Sequence, residues 1–88
     1  MKRGYPRWFL EFRNELDTDH KELLACRTQR AGTNWSFDKA VERTRAYYRD
    51  RISSFARVGS ITAEQRDELL ALVDLLGDEA NFPVGRRP

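Results

Sequence analysis

Between Phe37 and Phe55 the chain places Phe37, Val41, Thr44, Tyr48, Ile52 and Phe55 at spacings of 4, 3, 4, 4 and 3. At about 100° per residue these six side chains fall within roughly 80° of one another. The spacing predicts a helix from about 36 to 57, about six turns long, with Ala40 and Tyr47 widening its apolar face. Ser36 is a suitable N-cap, and Asp38 in the first turn complements the helix dipole.

Gly59 breaks this helix, and Thr62 with Gln65 reads as a capping box opening the next. Leu69, Leu70, Leu72, Val73, Leu75 and Leu76 follow, and Gly77 stands where a C-cap belongs. These apolar positions span about 220° of the helix circumference, wider than an ordinary surface stripe. Such a helix, about 62–77, is either central in the fold or packed on another chain. The short connection from Arg57 to Ile61 predicts that the two helices form an antiparallel hairpin.

The N-terminal third divides at turn signals. Phe9, Phe12 and Leu16, with Trp8 beside them, form a helical stripe starting at Pro6. A second segment, Asp19 to Ala31, opens on the Asp19/Glu22 pair, with Asp17 and Thr18 as competing caps. Gly32 supplies its stop, and Arg27 and Arg30 suit its C-terminal end. The same region also reads as a strand, because Trp8, Leu10 and Phe12 alternate with Phe9, Glu11 and Arg13.

The expected fold is therefore all-α, a three- to four-helix bundle built on the hairpin of helices about 36–57 and 62–77. The alternative is an α+β fold with a short N-terminal β-hairpin. At 88 residues, with Leu, Ile, Val and Phe making up 20 of them, the chain supports one small core. That core is expected to hold Phe9, Phe12, Leu16, Leu23, Val41, Tyr48, Ile52, Phe55, Leu69, Leu72, Val73 and Leu76. Residues 1–80 are read as a single helical domain. Residues 81–88 are read as an irregular tail, with Phe82 a candidate to pin it to the core.

The longest apolar run, Leu69 to Val73, is far short of a membrane span, and the start lacks the apolar core of a secretory signal. A single cysteine, Cys26, excludes an internal disulfide framework and suits a reducing, cytoplasmic setting.

Catalytic chemistry finds few candidates. His20 and Cys26 are six residues apart, so on a helix they point about 240° away from each other. His20 reads as a solvated first-turn residue and Cys26 as a small half-buried filler. No set of ligands has zinc spacing. Asp17, Asp19 and Glu22 lack the glycine and terminal glutamate of a calcium loop. The five glycines are isolated, so no phosphate-cradling loop is present. Ser53, Ser54 and Ser60 have no base near them in sequence. The expectation is a non-enzyme without metal or cofactor.

Two binding readings remain. Residues 1–57 carry a net charge of +5 and residues 58–88 a net −3. Arginine outnumbers lysine 13 to 3, which suits bidentate and stacked contacts. Helix 36–57 carries Lys39, Arg43, Arg45, Arg49, Arg51 and Arg57, enough to suggest a nucleic-acid-binding face. Glu42 and Asp50 interrupt that face, however, and helix 62–77 is acidic. Protein binding is the favoured reading, because arginines and aromatic rings are also the residue types enriched at protein interfaces. The expected partner is a larger protein or complex, or a second copy through helix 62–77. The expected contact residues are Arg3, Tyr5, Arg7, Trp8, Trp35, Arg43, Arg45, Arg49 and Arg57. Compact chains of this size without catalytic motifs are common among phage and mobile-element proteins that inhibit or redirect a larger host machine. Size alone raises that expectation here.

Overall fold

A computed structural model describes residues 6–83. Among them are three helices and no strand: α1 (Arg7–Gln29), α2 (Phe37–Arg57) and α3 (Ala63–Asp74). The all-α expectation holds. The β-hairpin alternative does not, and the two expected N-terminal segments are one continuous helix of 23 residues.

The reason is a stripe that does not stop at Leu16. Phe9, Phe12, Leu16, His20 and Leu23 are all buried, at spacings of 3, 4, 4 and 3. His20, expected to be solvated, is buried and supplies the middle of that stripe. The expected caps are used elsewhere. Asp17 pairs with Lys21 one turn on, at 3.2 Å, and Asp19 accepts the Tyr48 hydroxyl proton from α2. With no cap to end it, α1 runs on for about 35 Å.

The other boundaries follow their local signals. The Ser36 hydroxyl accepts from the Lys39 amide at 3.2 Å and starts α2. Thr62 and Gln65 close the reciprocal capping box, each bond 3.0 Å, and start α3. α3 ends at Asp74 rather than Gly77. The Leu75 and Leu76 amides instead bond three residues back, to Leu72 and Val73. That tightened turn hands the chain to Gly77, whose φ of +85° is left-handed.

The core draws on all three helices: Phe9, Phe12, Leu16, Tyr48, Ile52, Leu69, Val73 and Leu76, joined by Ile61 and Phe82. Leu23 and Val41 are buried as expected. Phe55 and Leu72, expected inside, are half-buried against the core's edge, as are Trp8, Leu70 and Leu75. Thus α3's wide apolar circumference lies against this chain's own core. From α3 onward the chain meets α2 at progressively earlier residues: Asp74 pairs with Arg49, the Leu76 carbonyl accepts from Arg45, and Gly77 lies over Val41 and Phe37. Phe82 is buried and its amide bonds the Asp78 carbonyl at 2.9 Å, so the chain remains tied to the core beyond α3.

Candidate functional site

At the N-terminal end of α1 and the C-terminal end of α2, Trp8, Phe55 and Ser60 line an open cleft of about 440 Å³. Helical periodicity explains the exposure. Trp8 sits at the margin of the α1 stripe, turned about 100° from Phe9, so it packs sideways on its neighbours. Its ring meets Phe9 edge-on at 5.6 Å and Phe55 at 5.9 Å. Val58, just past the end of α2, is 74% exposed. Phe55, Val58 and Ser60 were not among the expected contact residues. The spacing places Phe55 in the core, and Val58 lies three residues beyond the end of the periodic run, just past the end of α2.

The expected arginines separate into two groups. Arg45 and Arg49 are engaged within the chain: Arg45 donates to the Leu76 carbonyl at 3.0 Å, and Arg49 pairs with Asp74 at 3.1 Å. Arg51, also counted in the basic face, pairs with Glu15 at 2.7 Å and lies 4.6 Å over the Phe12 ring. Arg7, Arg43 and Arg57 are exposed, with Arg7 3.8 Å from Glu11. Arg3 and Tyr5 lie outside the described residues.

Trp35 is far along the chain from Trp8, in the turn between α1 and α2. It is half-buried, edge-on to Phe37 at 6.3 Å and covered by the Arg30 guanidinium at 5.9 Å. Arg27 covers Phe37 in the same way at 5.1 Å and also pairs with Glu79 at 2.9 Å. Arg43 lines a different, shallow groove between α1 and α2, together with Asp19, Glu22, Cys26, Thr44 and Tyr47. Among the described residues, Trp8, Trp35 and Arg43 thus lie in different settings: the cleft, the α1–α2 turn and the α1–α2 groove.

Two buried groups titrate away from their ordinary values. Burial, reinforced by its hydrogen bond to the Asp19 carboxylate, pushes the Tyr48 phenol far above its ordinary range. His20 is only 2% exposed, which corrects the solvated reading. Its Nδ1 accepts the Gly77 amide proton at 3.0 Å, and its ring stacks on Phe82 at 4.1 Å. Burial lowers its affinity for a proton, and Lys21 adds to that effect. Asp17, Asp78 and Glu79 pull the other way without cancelling it. Cys26 is half-buried, as expected.

Among the described residues no group of histidine, cysteine and carboxylate side chains is arranged to hold a metal ion. No described helix is long and apolar enough to cross a membrane. No protein-family model, curated protein or solved structure matches this chain.

Proposed function

We propose that this protein is a non-catalytic interaction module that binds a larger protein stoichiometrically, as an inhibitor or adaptor of the phage or mobile-element kind acting in the cytoplasm. The observation that carries the reading is the Trp8–Phe55 cleft, with exposed Val58 lying in the chain between the lining residues Phe55 and Ser60. Large aromatic side chains at the edge of a pocket are the typical anchors of protein interfaces. The partner's complementary feature is an apolar side chain that enters the cleft. In this reading α2 and α3 form an antiparallel hairpin whose turn carries one wall of the site.

Nucleic-acid binding is supported less well. Arg45, Arg49 and Arg51 are half of the six basic residues that suggested it, and each already holds a partner within the chain. Lys39, Arg43 and Arg57 are left exposed on α2.

The test is affinity capture from the native host's lysate, with and without nuclease, using the wild type and Val58→Glu. Val58 is solvated, so the substitution leaves the core intact. The expected result is a single protein complex that survives nuclease and is lost with Val58→Glu. Recovery that disappears with nuclease would replace this reading with nucleic-acid binding. A complex retained by the variant would place the interface elsewhere.

A further inference from the structure

Beyond Leu76, whose side chain belongs to the core, segment 77–82 folds back across the C-terminal half of α1, and His20 is the joint. Three contacts hold it, and a fourth fixes its root at Leu76. The Gly77 amide donates to His20 Nδ1 at 3.0 Å, and Phe82 stacks on the imidazole at 4.1 Å with the planes 13° apart. Arg27 of α1 pairs with Glu79, and Arg45 of α2 holds the Leu76 carbonyl. Within the segment, Asp78 accepts from both the backbone and side-chain nitrogens of Asn81 and so shapes the turn.

The first contact depends on protonation. An imidazole nitrogen that accepts a hydrogen bond carries a lone pair, so His20 is neutral in this arrangement. A proton on Nδ1 would face the Gly77 N–H donor directly. The bond would become a repulsion between two donors. Gly77 has little room to move away, because a Cβ built there would lie 2.8 Å from Val41 Cγ2.

The groups around the joint are mixed in sign. α1 brings Asp17 and Lys21, which pair with each other, and Arg27, which pairs with Glu79. The returning segment brings Asp78 and Glu79. On the α2 side, Gly77 meets Val41 and Phe37, with Arg45 reaching the neighbouring carbonyl. The end of α3 brings Asp74, already paired with Arg49.

We propose that segment 77–82 is an acid-releasable strap: neutral His20 fastens it to α1, and protonation of His20 lets it open while Leu76 and the three helices stay folded. The proposal stands independently of the reading of the Trp8–Phe55 cleft. The sign follows from where the proton prefers to sit. Burial makes the closed form the weaker proton acceptor, so the open form, with an ordinary imidazole of pKa near 6.5, gains as pH falls below that value. Acidification therefore opens the strap, and raising the pH closes it. Opening brings Phe82 and the His20 ring into water.

The test follows wild-type protein by NMR between pH 7.5 and 5. The readouts are the His20 ring nitrogen shifts and amide hydrogen exchange at Gly77 and Ile52, corrected for intrinsic exchange rates. Gly77 should lose protection progressively in mild acid, in step with His20 protonation. Ile52 should hold its protection. Unchanged protection at Gly77 would overturn the proposal, as would loss at Gly77 and Ile52 with one midpoint, which is global unfolding. His20→Asn keeps an acceptor near Nδ1 without the titration and should abolish the acid step. Persistence of that step in the variant would also overturn the proposal. If His20→Asn does not fold, the wild-type titration decides alone.

Discussion

Tyr48 shows how one side chain can serve both the core and its edge. Its ring is fully buried and meets Phe12 edge-on at 5.5 Å. Its hydroxyl emerges beside α1 and donates to Asp19. A phenol inside a small core needs such a partner, because an unpaired buried hydroxyl is costly. Tyr48→Phe keeps the ring and removes the bond. It should lower stability by about 1–2 kcal/mol, near the range for hydrogen bonds to charged groups, measured as a shift in denaturant midpoint. An unchanged midpoint would mean that Asp19 is equally well satisfied by water. The periodic spacing predicted the burial of Tyr48, and nothing in the sequence predicted Asp19 as its partner. Two side chains 29 positions apart meet only once α1 and α2 are docked.

At the scale of elements, α1 is where the sequence was hardest to read. Asp17, Thr18 and Asp19 are good N-cap residues, and together they resemble a helix start. In the structure they lie inside the helix, because tertiary contacts outweigh a local capping preference. The contrast with α3 is instructive. There Thr62 follows a left-handed glycine, Gly59, so the capping box had no competing continuation and was legible directly. Thr18→Pro separates the two descriptions of α1. Thr18 is exposed, so the effect is confined to the backbone. Proline just before a true N-cap at Asp19 would be tolerated. Inside a continuous helix it should cost about 3 kcal/mol or more. Wild-type stability in thermal denaturation would mean that α1 is two helices. The candidate site was half-legible for a related reason. Trp8 stood out by residue type, whereas Phe55 belonged to a strong apolar period, and a period does not show where a bundle runs out of cover.

For the whole molecule, thickness matters most. The principal extents are 49 × 32 × 17 Å, so the thinnest direction holds only two layers of helix with axes about 8–10 Å apart. Three helices in so thin an arrangement cannot enclose every apolar side chain. The shortfall shows in Trp8, Phe55, Leu70, Leu72 and Leu75, all half-buried along the core's margin. The His20 joint has a different consequence, for the order in which the chain becomes a protein. The connection between α2 and α3 is only residues 58–62, whereas the Gly77–His20 bond spans 57 positions. Closing a longer loop costs more entropy, so distant contacts tend to form late. In pulse-labelled refolding, the Ile52 amide should gain protection before that of Gly77, and simultaneous protection would contradict this order. A chain still being synthesised would meet the same constraint. Helix α1 carries a buried position, His20, whose partners Gly77 and Phe82 arrive among the last described residues, so that one position must wait in water after α2 has covered Phe12 in the same stripe.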